Sequence, residues 1–381
     1  MYAIRKTAHS FRGMLIALGV VLAAPITQAA ENIYQQHNLV SDGFVPADNT
    51  DANLVNAWGI AFNPFGAAWI ANNGSGTSTL YDGAGQPQPL VVQVPPSGIS
   101  SGKGTPTGIV FNASPGFVVS PESDSEPSRV IFATEDGVIA GWSPNVEPTS
   151  AIRIIDNGVS TGAVYKGLAL RSSDSGDLLF ATDFRNNKID VFDRSFNAVR
   201  LSDGAFSDPT IPGDFAPFGI QVINGQIYVT YAKQDADRRG EVAGEGLGFV
   251  NIYNDKGALL RRFATGGTLN APWGMARAPA DFGVFGNCLL VGNFGDGKIN
   301  AFHPVSGQFL GQLTGSNQQP LQINGLWGIA FGNGFLNQPI NTLFFAAGPG
   351  DEQHGLYGRI DTWPNTQSDD SQIATRGGAV C

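Results

Sequence analysis

Asn72, Asp183, Asn293 and Asp351 each follow a short apolar run in a periodic chain, and their side-chain oxygens suit a hard cation. Ca²⁺ takes roughly six to eight oxygen ligands from carboxylates, amides and carbonyls. Four such groups converging from separate segments would supply part of that shell. An ion held there would polarise a carbonyl and activate water, the chemistry of a metal-dependent hydrolase or lactonase. Asn73, Glu135, Arg185 and His354 lie beside or at matching positions and widen the set. Asn, Asp and Gly are also ordinary turn formers, and a turn needs no metal. Lys166 is a different signal, a cation where the matching positions are Trp, Thr or Phe. It is either the partner of a neighbouring carboxylate or the contact for an anionic ligand.

Other patterns carry less. Gly98-Ile99-Ser100-Ser101-Gly102 and Gly158-Val159-Ser160-Thr161-Gly162 match the spacing of a nucleophile elbow. That device needs a strand-to-helix turn in an α/β sheet, and both segments are expected in loops between blades. Gly244, Gly246 and Gly248 lack the spacing of a dinucleotide fingerprint. Zinc is poorly served by His37, His303 and His354, which stand at no ligand spacing. His37 and His354 are expected in one blade, as two surface histidines near a seam.

The elements that must position these residues follow from a repeat. Six segments share one pattern: Trp58-Gly59-Ile60-Ala61, Thr107-Gly108-Ile109-Val110, Lys166-Gly167-Leu168-Ala169, Phe218-Gly219-Ile220-Gln221, Trp273-Gly274-Met275-Ala276 and Trp327-Gly328-Ile329-Ala330. Their glycines are 49 to 59 residues apart. A fixed period of that size signals a solenoid or propeller. Each unit continues with further short apolar runs broken by Gly, Asn and Asp, which predicts four-stranded blades. The fold class is therefore all-β, a six-bladed β-propeller. The last unit lacks a fourth strand, and the run from Gln35 to Val40 is expected to supply it and close the ring.

Composition agrees. The chain has 381 residues, 50 of them Gly, with only 14% charged residues and a net charge of −10 at pH 7. No run of Lys or Arg exists, which argues against nucleic acid and anionic membrane surfaces as partners. Arg5, Lys6 and Arg12 precede an apolar stretch from Met14 to Ala24, and Pro25, Thr27 and Ala29 follow. This is the layout of a secretory signal peptide over residues 1–30, cleaved near Ala29 or Ala30. The expected domain spans 31–363, as an exported monomer, periplasmic or extracellular, with no membrane span. Residues 364–381 read as a polar, disordered tail. Cys288 and Cys381 are either a buried thiol and a free terminal thiol or a bond that pins the tail.

Asn38-Leu39-Val40-Ser41-Asp42, Leu54 to Phe62, Thr134 to Trp142, Val164 to Leu168, Ala181 to Asp193 and Tyr231 to Asp235 resemble one family. It is an uncharacterised group of exported bacterial six-bladed propellers related to NHL-repeat proteins. The resemblance implies the fold and export and supplies no catalytic residues.

In such a ring the loops entering each innermost strand and those after each second strand share one face, the default ligand site. That face is expected to hold a small molecule, glycan or peptide. The alternatives are the Ca²⁺-dependent hydrolase or lactonase and a lyase acting on cyclic peptides or lactones. The long segment from Ala232 to Gly248 is expected to be a solvated insertion, or a lid, and that from Ala113 to Arg129 decoration on the opposite face.

Overall fold

Runs rich in Val, Ile, Phe, Tyr, Trp and Thr suit a pleated, half-buried surface, and Gly, Asn and Asp between them permit tight turns. The computed structural model describes residues 1–3, 33–120, 125–173, 176–362 and 381. In it these runs form six antiparallel sheets arranged as a six-bladed β-propeller. Blade 1 is Ala57–Phe62, Ala68–Asn72, Thr77–Tyr81 and Pro87–Gln93, from the channel outward. Blade 2 is Pro106–Phe111, Val130–Thr134, Val138–Trp142 and Ile152–Asp156. Blade 3 has Tyr165–Arg171, Leu178–Asp183 and Lys188–Asp193, and a bridge from Phe192 to Ala198 stands in the fourth position. Blade 4 is Phe215–Ile223, Gln226–Gln234, Phe249–Tyr253 and Leu259–Thr265; blade 5 is Pro272–Arg277, Leu289–Asn293, Ile299–Phe302 and Phe309–Gln312.

Blade 6 joins the two ends of the chain. Leu326–Phe331, Leu343–Ala347 and Leu356–Thr362 are followed outward by Tyr34–Ser41 from the N-terminal region. Tyr34 faces Thr362 and Ser41 faces Leu356, so the closing pair is antiparallel over its length. Pairing of this kind removes two free sheet edges.

The six repeat glycines sit where the blades meet most closely. A Cβ on Gly59 would come within 2.6 Å of the Thr107 carbonyl oxygen, and one on Gly219 within 2.1 Å of that of Trp273. The same holds around the ring to Gly328, whose Cβ would lie 2.5 Å from the Trp58 oxygen. Each innermost strand thus presses on the next at the one residue without a side chain. The isoleucine-type residue that follows points into the channel: Ile60, Ile109, Leu168, Ile220, Met275 and Ile329 come from all six blades. They line a cavity of about 60 Å³. Larger contacts fill the spaces between blades, such as Trp69 against Trp142 at 4.8 Å and Tyr81 against Tyr357 at 5.4 Å.

Several expectations meet the structure here. Cys288 and Cys381 form a disulfide with a Cα separation of 5.2 Å, so the pinned alternative is the one observed. The signal segment and the tail fall outside the described residues, apart from residues 1–3 and Cys381. Among the described residues no helix is long and apolar enough to cross a membrane. The segment from Ala113 to Arg129 contains a small ribbon, Val118–Val119 with Glu126–Pro127, anchored by fully buried Phe117. The Ala232–Gly248 segment is not a solvated insertion throughout. Glu241 and Val242 pair back onto Gln234 and Lys233, and the Glu241 side chain is only 6% exposed.

Candidate functional site

A buried ammonium organises the mouth of the channel. Lys166 lies in the innermost strand of blade 3 with its side chain 4% exposed. Removing an ammonium from water costs several kcal/mol, on the order of the whole stability of a small domain, unless carboxylates replace the water. Here Glu135 Oε1 lies 2.6 Å and Glu241 Oε2 3.6 Å from Lys166 Nζ. Glu135 follows the second strand of blade 2 and Glu241 sits on the folded-back segment of blade 4. Two cross-blade contacts extend the cluster. Asn73 Nδ2 donates to Glu135 Oε2 at 2.8 Å, and Asn56 Nδ2 donates to Glu352 Oε2 at 2.8 Å. Asn56 Nδ2 also reaches Asn73 Oδ1 at 3.4 Å. An unbroken arc thus runs from Glu352 in blade 6 through Asn56, Asn73, Glu135 and Lys166 to Glu241 in blade 4.

Aromatic rings floor this arc. Lys166 Nζ lies 4.9 Å from the Trp58 ring centroid and 5.8 Å from that of Phe184, within cation–π range. Trp58 stacks on Trp327 at 3.5 Å, Phe294 stacks on the same ring at 4.1 Å, and Trp273 meets both tryptophans edge-on. Trp273 Nε1 donates to the Lys166 carbonyl at 3.0 Å, fixing the backbone that carries the cation. Trp at the head of three repeats therefore builds a plug, with the aliphatic cavity on its far side.

The carboxylates differ in their proton affinity. Burial pushes Glu135 up, but the Lys166 charge and the hydrogen bonds from Lys166 and Asn73 outweigh it, and its pKa lies below the usual value. Burial pulls Lys166 down, while Glu135, Glu241 and Glu352 together hold it above its ordinary range. Glu241 stays raised because burial exceeds the pull of Lys166. Glu352 is raised to about 7, first by burial and then by the charges of Glu241 and Glu135, against the Asn56 hydrogen bond and Lys166. A carboxyl that changes charge near neutral pH can bind donors or exchange protons.

Of the nine candidates from sequence, Asn73, Glu135 and Lys166 enter this arc. Asn72, Asp183 and Asn293 lie at the ends of second strands and spend their side chains within their own blades. Asn72 Nδ2 donates to Thr77 and Thr79 hydroxyls at 3.2 and 2.9 Å. Asp183 accepts from Val164 N at 3.1 Å and from Asn186 Nδ2 at 2.7 Å. Asn293 Oδ1 accepts from Asn270 N at 3.1 Å, and its Nδ2 donates to the Thr268 carbonyl at 2.8 Å. Arg185 and Asp351 are exposed. His354 Nδ1 lies 2.7 Å from Asp42 Oδ2, its ring stacked on Phe44 at 3.8 Å, while His37 pairs separately with Asp48. Among the described residues no three His, Cys, Asp or Glu are grouped so as to hold a metal ion. Sequence reasoning missed Asn56, Glu241 and Glu352 as one site. The available signal was Lys166 itself, since a lysine on an innermost strand requires carboxylates from its neighbours.

No protein-family model matches the chain. Uncharacterized protein R648 of Acanthamoeba polyphaga mimivirus is 34% identical over 329 residues, covering 84% of this chain and 78% of R648. Uncharacterized protein L690 of the same virus is 31% identical over 298 residues, covering 77% of each chain. These relatives are viral, whereas the sequence resemblance implied bacterial ones. Among solved structures, a structural genomics protein of unknown function from Bacteroides thetaiotaomicron aligns with TM-score 0.54 at 13% identity, covering 86% of this chain and 76% of that one. At that identity the likeness concerns the fold.

Proposed function

We propose that this chain, which belongs to the family of the mimivirus proteins R648 and L690, is a ligand-binding propeller whose site is the Lys166 arc. The ligand is a small molecule, a glycan or the end of a peptide. One observation carries this reading: side chains from five blades meet at the channel mouth around a buried cation that no turn or strand requires. Convergence of polar groups over an aromatic floor is the usual form of a recognition site. The domain spans 31–363 and acts as an exported monomer. Export is supported by the leader-like first thirty residues and by the disulfide, a bond that persists outside reducing compartments.

The test is a melting-temperature screen of the mature protein against sugars, amines, organic acids and short peptides, repeated on Glu135→Gln. Ligands that raise the melting point of the wild type and not of the variant support the mouth as the site. Ligands that act equally on both place binding elsewhere and sink the reading.

A hydrolytic reading has one observation in its favour, the half-buried Glu352 carboxyl, whose pKa is raised to about 7. Glu352 would take a proton from water, as general-base catalysis requires. The calcium-dependent form would recruit Asn72, Asp183, Asn293 and Asp351, with Asp183 and Asn293 giving up the donors their oxygens now hold. Hydrolysis of simple lactones, with a rate that follows the ionisation of Glu352 and is lost in Glu352→Gln, distinguishes catalysis from binding.

A further inference from the structure

We infer that the outer edge of blade 3 binds an extended peptide from another polypeptide, which adds to the blade as the fourth strand it lacks. The site lies on the rim of the ring and does not rest on the reading of the Lys166 arc. The third strand of blade 3, Lys188–Asp193, is the outermost of a three-stranded sheet, whereas each of the other five blades has a fourth strand. Only its far end is paired. Asp193 N donates to the Asn197 carbonyl at 2.9 Å and Val199 N to the Val191 carbonyl at 2.8 Å, on either side of the bridge from Phe192 to Ala198. The ladder ends there, halfway along the strand. These two bonds also fix which backbone groups face outward. Residues of an antiparallel strand bond alternately to one side and the other, so Asp190 and Phe192 turn to the second strand and Ile189 and Val191 turn out. The Val191 N–H and both backbone groups of Ile189 make no outward backbone bond among the described residues. Val191 is only 4% exposed, and a buried N–H without an acceptor is uncommon and costs about 1–3 kcal/mol. The open half of the edge therefore presents two donors and an acceptor at ladder spacing, which the backbone of an extended peptide matches.

The second support is a cavity of about 240 Å³ beside this half of the edge. Sites for drug-sized ligands run to roughly 300–1,000 Å³, so this one suits one or two side chains entering from a strand. Its two walls differ. Ile189, Val191, Leu201 and Phe206 belong to the apolar cluster between blades 3 and 4. On the other wall Asp190 Oδ2 accepts from the Tyr165 hydroxyl at 2.7 Å, and Asn157 Nδ2 donates to that hydroxyl at 2.6 Å. Side chains alternate across a strand, so the peptide that fits has an apolar residue facing Leu201 and a polar one next to it facing Asn157. Lys188 pairs with Asp190, which leaves the edge without a spare charge to hold a free ion.

The ring already takes one outermost strand from elsewhere, since Tyr34–Ser41 completes blade 6 from the other end of the chain. A peptide in blade 3 would continue the ladder begun at Ala198, in the antiparallel sense of the fourth strands of blades 1, 2, 4 and 5. The open stretch from Lys188 to Val191 spans about 13 Å. That is far short of the roughly 800 Å² per partner of a stable interface between folded chains, so a short segment fits and a second copy does not. The C-terminal segment of this chain is tethered at both ends away from the edge, at Thr362 on blade 6 and at Cys381 on Cys288 of blade 5.

The experiment is selection of phage-displayed random heptapeptides on the mature protein, then residue-resolved hydrogen exchange with and without the winning sequence as a synthetic peptide. In the free protein the Ile189 amide should exchange about tenfold or more faster than that of Asp190, which faces Ala181 within the blade. The peptide should slow Ile189 and Val191 about tenfold or more. Methylating its alternate backbone nitrogens should weaken it about tenfold, because the ladder loses donors. Leu201→Asp, which puts a charge into the cavity, should weaken it to the same extent. The exchange comparison uses the wild type alone, so a poorly folded variant does not remove the test. An Ile189 amide already as slow as Asp190 in the free protein overturns the inference, as does the selection of no peptide. Peptides that protect the channel mouth and fail on Glu135→Gln support the Lys166 arc and sink the edge. Protection of Ile189 that grows with protein concentration alone assigns the edge to a second copy and overturns the peptide.

Discussion

Lys166 is the residue on which most of the mouth depends, and the consequence is measurable without any ligand. Lys166→Met leaves Glu135 and Glu241 close together without their counter-ion. Breaking a buried pair on one side costs about 3–5 kcal/mol, so the midpoint of urea unfolding at pH 7 should fall accordingly. Glu352 behaves in the opposite sense. Its folded pKa of about 7 exceeds its ordinary value of 4.5, so the folded state holds the proton more tightly than the unfolded chain. Its contribution to stability is full below pH 4.5 and is lost as pH rises through about 7. Glu352→Gln should therefore stabilise the protein by about 1–3 kcal/mol above pH 7 and remove that part of the pH dependence, as read from melts across pH 4 to 8. At this scale the sequence showed part of the site. Lys166 stood out because a cation occupied a position held elsewhere by neutral residues. Asn73 and Glu135 followed from their place after second strands. Glu241 did not, because an insertion rich in Asp, Glu, Arg and Gly has the composition of solvated chain, and only its pairing with Gln234 turns it inward. Asn72 and Asp183 stand outside the arc for a related reason. The residue that ends a second strand secures the chain beside it, Asp183 through its carboxylate and Asn72 through its amide nitrogen.

Strands and their junctions were more legible, since a blade is a local structure and the repeat supplies six examples of it. Why glycine recurs in the motif was not readable, because the atom it avoids belongs to the next blade. Gly219→Ala tests that account directly. Its Cβ would fall 2.1 Å from the Trp273 oxygen, and neither backbone can move without disturbing the ring. A loss of about 3 kcal/mol or more is expected, at the upper end of overpacking effects. Gly213→Ala, with nothing within 4 Å of its Cβ, should change the urea midpoint little. Blade 3 presents a different problem, since its fourth position is a single bridge. The chain leaving it is secured through Asp208, which takes Arg262 and Asn251 of blade 4 as partners and has a pKa lowered to about 2. Burial opposes that shift, and hydrogen bonds from Thr210, Arg262 and Asn251 produce it. The stability it contributes is present above about 3.8 and disappears as pH falls through about 2.

For the whole molecule, closure is the governing feature, and it has two components, the strand Tyr34–Ser41 and the bond from Cys288 to Cys381. The bond spans 93 residues, and constraining so long a loop in the unfolded chain is worth about 2–4 kcal/mol. Dithiothreitol should lower the unfolding free energy of the wild type, read from urea melts, by that amount and leave Cys381→Ser unchanged. A chelator should leave the melting point unchanged, because the Asp183 carboxylate and the Asn293 amide oxygen are already engaged by protein donors. The closing strand has a further consequence, which concerns time. Ser41 leaves the ribosome about 315 residues before its partner Leu356 exists. At roughly 5–20 residues per second, translation leaves that strand unpaired for roughly 15–60 s. Throughout that interval its apolar face, with Leu39 and Val40, is available to the wrong neighbour. Whatever escorts the nascent chain must shield its beginning until its end has been made.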